Sequence, residues 1–170
     1  MDITEVTLKN GQKATLQMVR PEDKNLFLEG FSHLSEETKR QRFLGPKKEL
    51  SPKELDFYSS PDDYNHIAYS VCIREPKAQG LGVARLVRLT KDGPTAELGI
   101  LIVDKYQGQG IGSILMEAII KRAKEVGIKN ITGLMNNTNT PMIGLLKKFK
   151  IFEFQSAGEG LIEIKGTISI

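Results

Sequence analysis

Residues 95–112 read TAELGILIVDKYQGQGIG, and the architecture expected of the whole chain follows from this segment. Residues 95–103 are apolar on both faces except for Glu97, a pattern that predicts a central β-strand covered on both sides. The strand leads into three alternating glycines, and a helix is expected to open out of them. Gly127 is placed to end that helix. Its predicted apolar face, at helical spacing, consists of Ile111, Ile114, Leu115, Ala118 and Ile119.

Hydrophobic periodicity and turn residues predict further strands and helices before and after this strand–loop–helix unit. Asn10-Gly11 is the strongest short signal for a hairpin turn, and Ser51-Pro52-Lys53-Glu54 is a capping box with proline at the first helical position. The sum predicts a single α/β domain over residues 1–170, with helices on both faces of a mixed, mostly antiparallel sheet. The predicted strands are residues 5–8, 13–18, 67–73, 81–89, 95–103, 131–135, 151–155 and 161–168. The predicted helices are residues 22–31, a short helix from residue 35, residues 52–59, the glycine-led helix and residues 141–149.

The composition is ordinary for a soluble globular protein, and it excludes several classes. Hydrophobic residues make up 39% and charged residues 26% of the 170 residues. No run approaches the roughly 18 apolar residues of a membrane span, and a net charge of +3 is too weak to indicate a nucleic-acid partner. The chain starts without a secretory signal, and its single cysteine, Cys72, allows no internal disulfide. We therefore expect a cytoplasmic protein that binds neither membrane nor nucleic acid.

The glycine-rich turn at residues 107–112 predicts a site for an anion. Unpaired backbone N–H groups, the helix dipole and the close approach that glycine permits all favour negative charge there. A Walker loop is excluded, because it needs Lys and then Ser or Thr after the last glycine, where this chain has Ser113 and Ile114. A dinucleotide fingerprint is disfavoured, because its glycines need a different spacing. A purely structural turn remains open on the residues alone.

In this context, Gln107-x-x-Gly110-x-Gly112 resembles the coenzyme A signature of the GNAT superfamily of N-acetyltransferases. The resemblance implies a GNAT-like fold and acetyl-CoA as co-substrate. No metal is expected, because the sequence has no His, Cys or carboxylate cluster with the spacing of metal ligands. In that family the loop amides hold the pyrophosphate, backbone groups of the preceding strand hold the acetyl and pantetheine amides, and a later Asn touches the pantetheine arm. The matching residues are Gln107, Gly108, Gln109, Gly110, Ile111, Gly112 and Ser113 in the loop, Leu101 and Ile102 in the strand, and Asn139.

Several short segments are most similar to the branch related to bacterial protein lysine acetyltransferases, among them Arg20-Pro21-Glu22-Asp23, Arg40-Gln41-Arg42-Phe43 and Ala96-Glu97. This resemblance implies direct transfer of the acetyl group to an amine, with a protein lysine as one acceptor and a small-molecule amine as the alternative. The chain departs from the family where a Tyr commonly protonates the leaving thiolate, because Leu146 occupies that position. A non-catalytic acyl-CoA-binding sensor is therefore a third interpretation.

Glu97 is the candidate general base. An amine must be neutral to attack a thioester, yet a lysine with a pKa of about 10.4 is almost fully protonated at pH 7. Burial in the apolar strand would make the Glu97 carboxylate a stronger base. The alternative is a carboxylate that faces solvent or pairs with Arg85 or Arg88. The resemblance favours catalysis, since Glu97 matches the catalytic glutamate of the lysine acetyltransferase branch.

The sequence indicates no catalytic or metal-binding role for the other reactive side chains. Cys72 lies in a predicted strand and is interpreted as a small core residue. Tyr106, just before the loop, is interpreted as a packing residue. His33 and His66 are too few and too far apart in sequence to indicate a metal site.

Overall fold

The strands and helices lie close to where the sequence patterns predict them. The computed structural model describes residues 3–169. Its strands are β1 (Thr4–Thr7), β2 (Lys13–Met18), β3 (His66–Ile73), β4 (Gln79–Arg88), β5 (Thr95–Ile102), β6 (Asn130–Asn136), β7 (Phe152–Gly158) and β8 (Leu161–Thr167). Its helices are α1 (Lys24–Ser32), α2 (Glu36–Phe43), α3 (Pro52–Ser59), α4 (Ile111–Glu125) and α5 (Thr140–Lys147).

These strands form one sheet in the order β1-β2-β3-β4-β5-β6-β8-β7. Each neighbouring pair is antiparallel except β5 and β6, which are parallel. Side chains alternate along β4, so that Leu86 packs in the core with α4 while Arg85 faces Phe27 of α1 and Tyr58 of α3. The predicted fold, a mixed and mostly antiparallel sheet with helices on both faces, is confirmed. None of the helices within residues 3–169 is both long and apolar enough to cross a bilayer.

Capping residues determine where the helices begin. Ser51 and Glu54 form the predicted capping box of α3, since Glu54 N donates to Ser51 Oγ (3.1 Å) and Ser51 N donates to Glu54 Oε1 (3.0 Å). The helix predicted from residue 22 starts as a 3-10 turn, Pro21–Asp23, before α1 begins. Asp23 Oδ2 accepts the N–H of Arg20 (3.0 Å), which closes this turn.

The main core lies between α4 and the sheet. Leu115, Met116 and Ile119 of α4 have no exposed surface and belong to one buried cluster with Leu86 and Ile131. Burying one side chain of this size contributes about 1.5–3 kcal/mol. This packing fixes the axis of α4, and therefore the position of the glycine loop from which the helix starts.

β5 and β6 separate after a short parallel pairing. Residues 95–97 pair with residues 130–132, whereas β5 continues to Ile102 and β6 to Asn136. Beyond Glu97 the strands diverge, and residues 98–102 of β5 are only half-buried. The prediction of a strand covered on both sides is therefore wrong for this half of β5. Leu98, Ile100 and Ile102 pack against the core and also border an open cleft between the two strands.

Helix α2 is tied to the end of β5. Asp104, in the 3-10 turn after β5, accepts hydrogen bonds from Ser35 N (2.9 Å), Ser35 Oγ (2.8 Å) and Thr38 Oγ1 (2.7 Å). Ser35 is the N-cap of α2. Partial burial opposes ionisation of Asp104, but these hydrogen bonds outweigh it and lower the pKa of the carboxyl. The N-terminus of α2 is thus held against the strand that borders the cleft.

Asp104→Ala should lower the free energy of unfolding by about 1–3 kcal/mol, because it removes charge-assisted hydrogen bonds at the start of α2. Urea unfolding at pH 7 measures the change. Because the folded-state pKa is lowered, this contribution is present above the unfolded pKa of about 3.9 and disappears as the pH falls through the folded value.

The control is Glu153→Ala, which removes an exposed carboxylate on β7. It should change the free energy of unfolding by less than about 0.5 kcal/mol. Equal effects of the two substitutions would show that Asp104 does not hold α2 in place.

Candidate functional site

The cleft between β5 and β6 is the candidate site. It runs from Glu97, where the strands part, to the glycine loop that precedes α4. Helix α2 forms one wall, and the start of α5 forms another. The sequence-predicted residues that line it are Glu97, Leu101, Ile102, Gln107, Gly108, Gly110, Gly112, Ser113 and Asn139.

The glycine loop turns the chain sharply into α4. Gly108 (φ 80°) and Gly110 (φ 87°) both adopt the left-handed conformation, which an L side chain rarely takes. Gly110 is the N-cap of α4 and offers no capping side chain, so the first N–H groups of the helix have no intrahelical partner. The loop therefore presents unpaired N–H groups and the positive end of a helix dipole to the cleft.

Gly112 has a packing role that the sequence analysis missed, whereas Ile111 packs as its place on the predicted apolar face of α4 indicates. A Cβ on Gly112 would lie 2.9 Å from Leu145 Cδ2 and 3.4 Å from Ile102 Cδ1, so this glycine lets α4 approach α5 and β5 closely. The Ile111 side chain is 1% exposed and belongs to the core. What these two residues can offer a ligand is their backbone N–H groups.

Gln107 and Gln109 hold the loop in place by hydrogen bonds to different parts of the chain. Gln107 Nε2 donates to the carbonyl oxygen of Ile102 (3.1 Å) and lies 3.4 Å from Thr38 Oγ1. The backbone carbonyl of Gln109 accepts the N–H of Lys9 (3.1 Å), and Gln109 Oε1 accepts the N–H of Asn10 (3.0 Å). The amide oxygen of the Gln109 side chain is thus occupied by the β1–β2 hairpin.

Lys9 is a site residue that the sequence analysis missed. It lines the cleft, and its side chain passes beside Gly110, with Lys9 Cε 3.7 Å from the position of a Cβ on that glycine. This places an ammonium group next to the loop. The Asn10-Gly11 turn was predictable, but nothing in the sequence indicates that the hairpin meets a loop about a hundred residues away. Lys148, in a basic segment after α5, also lines the cleft.

The hydrogen-bond pattern of β5 determines which backbone groups are free. At its two ends, Val103 N donates to Leu81 O (2.9 Å), and Leu89 N donates to Thr95 O (3.0 Å). Antiparallel pairing alternates, so every second residue, including Leu101 opposite Val83, directs its N–H and C=O toward β4. The expectation that Leu101 offers its backbone to a ligand does not fit this pattern.

The backbone groups that face the diverging strand β6 are those of Leu98, Ile100 and Ile102. Of these, the Ile102 carbonyl already accepts a hydrogen bond from Gln107. The backbone groups of Leu98 and Ile100 therefore border the open part of the cleft, and the sequence analysis did not single them out.

Asn139 has a structural role beside its place in the cleft. It is the N-cap of α5, and its Oδ1 accepts the N–H of Met142 (3.4 Å). Its side-chain NH2 group has no hydrogen-bond partner within residues 3–169 and is free to donate to a ligand.

Glu97 is exposed, and the expectation of a buried carboxylate is wrong. It lies opposite Thr132, in the last residue pair before the strands part. The alternative of a carboxylate that faces solvent agrees with this exposure. The other alternative, an ion pair with Arg85 or Arg88, is wrong: Arg85 donates to the Tyr58 carbonyl and His66, and Arg88 donates to three backbone carbonyls. Within residues 3–169 Glu97 forms no ion pair, so its carboxylate is accessible from the cleft.

The remaining residues behave as packing groups. Cys72 is 1% exposed, and burial raises the pKa of its thiol, which disfavours a nucleophilic thiolate. Tyr106 packs against the core, and Leu146 has no exposed surface. No group of three or more His, Cys, Asp or Glu side chains in the described part of the chain is arranged to hold a metal ion.

A sequence model described as the acetyltransferase (GNAT) family matches residues 29–150. The chain is 28% identical over 137 residues to Acetyltransferase PA5475 of Pseudomonas aeruginosa, a match that covers 80% of this chain and 73% of that protein. It is 30% identical over 137 residues to Acetyltransferase Pat of Mycolicibacterium smegmatis. That match covers 81% of this chain but 40% of Pat, so the chain spans less than half of this relative.

Solved structures share the fold. The GNAT domain of S. lividans PAT matches with a TM-score of 0.87 at 21% identity, over 97% of this chain and 96% of that chain. The protein yncA of Salmonella typhimurium, solved with its cofactor acetyl-CoA, matches with a TM-score of 0.73 at 15% identity, over 92% of this chain and 94% of that one.

Gly110→Ala should lower the free energy of unfolding by about 1–2 kcal/mol, because alanine is strained at a φ of 87°. Crowding is not the cause, since the nearest atoms to the new Cβ lie at ordinary contact distance, 3.7 Å. Urea unfolding measures the effect. Gly144→Ala, in open space within α5, is the control and should be neutral or stabilising. A neutral Gly110→Ala would mean that the loop does not need the left-handed conformation.

Proposed function

We propose that this chain, which belongs to the acetyltransferase (GNAT) family, transfers the acetyl group of acetyl-CoA directly to an amine. The observation that carries the proposal is the cleft itself. The divergence of β5 from β6 opens a passage with a set of unpaired N–H groups at one end and an accessible carboxylate, Glu97, at the other. One end suits a pyrophosphate and the other suits a proton acceptor.

The coenzyme lies along the cleft in this proposal. Its pyrophosphate binds the N–H groups at the start of α4, from Gly108 to Ser113, with the Lys9 ammonium alongside. Its pantetheine arm runs between β5 and β6, where the backbone groups of Leu98 and Ile100 take the part that the sequence resemblance assigned to Leu101. The free NH2 group of Asn139 donates to the same arm. In the neighbour solved with acetyl-CoA, that molecule is described as the cofactor.

Glu97 then acts as the general base. The neutral amine attacks the thioester carbonyl, the C–N bond forms, and Glu97 accepts the amine proton directly or through one water. The C–S bond breaks and coenzyme A leaves as a thiolate, which takes a proton from solvent because the buried Leu146 side chain has none to give. Positioning of the amine and the thioester in one cleft supplies the remaining rate acceleration. No acyl-enzyme forms, in keeping with the buried, protonated thiol of Cys72.

The acceptor approaches from the face of the sheet that carries α1, α2 and α3. Side chains alternate along β5, so Glu97, Gly99 and Leu101 point to this face. The resemblance to the protein lysine acetyltransferase branch makes a lysine side chain one acceptor to test, and a small amine is the other.

Lys9→Gln should weaken coenzyme A binding about three- to tenfold, because it removes a cation from the edge of the phosphate site. Isothermal calorimetry at low and high salt measures this, and the loss should shrink as salt screens the charge. Lys13→Gln, on the other strand of the same hairpin and paired with Glu5, is the control and should bind as the parent does. If Lys9→Gln binds as well as the control at low salt, the pyrophosphate lies elsewhere.

Glu97→Gln should lower kcat by about two to four decades, because it keeps the shape of the side chain and removes the base. Coenzyme affinity should hardly change, since Glu97 and the glycine loop lie at opposite ends of the cleft. Thiol release from acetyl-CoA, followed with a panel of lysine peptides and small amines, measures kcat, and calorimetry measures affinity.

Glu117→Gln on the exposed face of α4 is the matched control and should leave both quantities unchanged. Near-parental turnover in Glu97→Gln would assign the proton to another acceptor. A parent enzyme that binds acetyl-CoA but transfers to no amine in the panel would replace the enzyme assignment with a binding function.

A further inference from the structure

A second pocket opens beside the cleft, on the face of β5 that carries Glu97. Helices α1 and α2 and strands β3, β4 and β5 enclose it. We call it the arginine pocket, because Arg42 and Arg85 line it. Its wall is otherwise mostly apolar and includes Leu26, Phe27, Phe31, Leu50 and Val83. Arg42, Phe43, Gly99 and Leu101 line both the pocket and the cleft, so the two are continuous at these residues.

Arg85 lies at the base of this pocket without a counter-ion. It is 4% exposed, and it forms no ion pair within residues 3–169. Its Nη1 donates to the Tyr58 carbonyl (3.1 Å) and contacts His66 Nε2 (2.7 Å), while the guanidinium stacks 4.6 Å from the centre of the Tyr58 ring. Its Nε and Nη2 have no hydrogen-bond partner among the described residues. A buried charge of this kind is costly unless an anion compensates it.

The charges around Arg85 are not balanced by its neighbours. Burial, with Arg85 beside it, lowers the pKa of His66 to about 4, so this histidine is neutral at neutral pH and supplies no negative charge. Burial, with Arg42 close by, lowers the pKa of Arg85 to about 9. Burial is the main cause of both shifts, and the neighbouring guanidinium group adds to each of them, while Asp62 partly opposes the shift at His66.

Arg88 shows what a purely structural buried arginine looks like in the same strand. It also lacks a carboxylate, but its guanidinium donates to the backbone carbonyls of Tyr64, Gly93 and Val126. Those carbonyls use all three of its nitrogens. Arg85 has one carbonyl and one neutral imidazole, both on the same nitrogen, so its remaining donors are available to a ligand.

Arg42 approaches the same place from α2. Its guanidinium lies over Gly99, with Nη2 2.6 Å from the position that a Cβ on this glycine would occupy. Gly99 is directly opposite Arg85 in the β4–β5 register, and both point to the same face of the sheet. Arg42 forms no ion pair and no side-chain hydrogen bond within residues 3–169. The two guanidinium groups therefore converge where the pocket meets the cleft.

Asp23 supplies the one carboxylate that the described residues place in the pocket wall, and this carboxylate already has partners. Asp23 Oδ2 accepts the N–H of Arg20 (3.0 Å), and its Oδ1 lies 3.8 Å from Arg74. Asp23 therefore serves the turn before α1 and the neighbouring Arg74, and leaves Arg42 and Arg85 unpaired.

We propose that the arginine pocket binds a carboxylate carried by the acceptor, so that the acceptor is a small amine with a carboxylate and an apolar side chain, such as an apolar amino acid. The carboxylate pairs with Arg42 and Arg85, the apolar side chain packs against the wall of α1, and the amine points to Glu97. This inference rests on the proposed function and deepens it by naming the class of acceptor.

The spacing suits an amino acid. Glu97 and Gly99 are two residues apart on one face of β5, a distance of about 7 Å. An amino acid whose amine and carboxylate each form a hydrogen bond of about 3 Å spans this distance. A guanidinium pair also offers the planar donors that a carboxylate accepts from best.

The test compares leucine, methionine and phenylalanine with their primary amides as acceptors of acetyl-CoA. In the parent, the acids should be used, and Arg42→Gln should lower the acid-to-amide ratio of kcat/KM about tenfold to a hundredfold, mainly through KM. Because the ratio is compared between enzymes, the different basicities of acid and amide amines cancel. Arg40→Gln, on the same helix and outside the pocket, is the matched control and should keep the parental ratio.

A second measurement does not depend on turnover. Binding of N-acetyl-phenylalanine and of its amide, each with coenzyme A present, is followed by calorimetry for the parent, Arg42→Gln and Arg85→Lys. The acid should bind the parent more tightly than the amide does, and each variant should lose most of that preference. Circular dichroism establishes whether each variant is folded. If Arg85→Lys does not fold, the comparison between the parent and Arg42→Gln is the test.

The other possible outcomes distinguish a failure of this inference from a failure of the proposed function. Equal use of acids and amides, with a ratio unchanged by Arg42→Gln, overturns the inference and leaves the proposed function standing. Turnover confined to lysine side chains in peptides with blocked termini also overturns it. If Arg42→Gln instead impairs only succinyl-CoA relative to propionyl-CoA, the carboxylate belongs to the acyl donor and the acceptor assignment is wrong. Failure of every amine, with the acid still preferred in calorimetry, overturns the proposed function and with it the acceptor assignment, and leaves the arginine pocket as a carboxylate-binding site.

Discussion

The short parallel pairing of β5 with β6 is the constraint on which the site depends. Three residue pairs hold the strands together, and beyond Glu97 they diverge while each remains paired on its other side, β5 with β4 and β6 with β8. The sheet can therefore open in its middle without losing a strand. The divergence leaves backbone groups of β5 free at half-buried positions, which costs free energy unless water or a ligand pairs with them. A cleft of this kind favours a ligand that carries amide groups along its length.

The walls of the cleft are held by residues that follow β5 in the chain. Asp104 binds the N-cap of α2, and Gln107 binds the Ile102 carbonyl while reaching Thr38 of the same helix. Two residues later, Gln109 binds the hairpin that carries Lys9. A segment of six residues thus connects the end of β5 with α2, the hairpin and α4. These hydrogen bonds run through the side chains of Asp104, Gln107 and Gln109, so the position of each wall depends on these three residues.

Sequence reasoning predicted the fold because its signals are local. The Asn10-Gly11 turn, the capping box at Ser51 and the apolar face of α4 each concern residues a few positions apart, and each was correct. The site was predictable where the coenzyme motif is contiguous, as in the glycine loop. Lys9 and Arg42 escaped prediction because each reaches the site through a contact with a residue far away in sequence. Leu101 was misassigned because a sequence does not reveal which side of a strand its hydrogen bonds face.

Glu97 is exposed and Arg85 is buried, and neither environment is the one that the sequence suggests. A carboxylate in an apolar strand was expected to be buried, but the strand is apolar because it borders a cleft, and Glu97 lies where that cleft is open. Arg85 is buried because α1 and α3 cover it with Phe27 and Tyr58, neither of which is near it in sequence. In the proposed mechanism, the bound coenzyme and acceptor exclude water from the cleft when they fill it. Glu97 would then be accessible while the amine enters and shielded from water only when both substrates are in place, which is the stage at which the proton has to be taken.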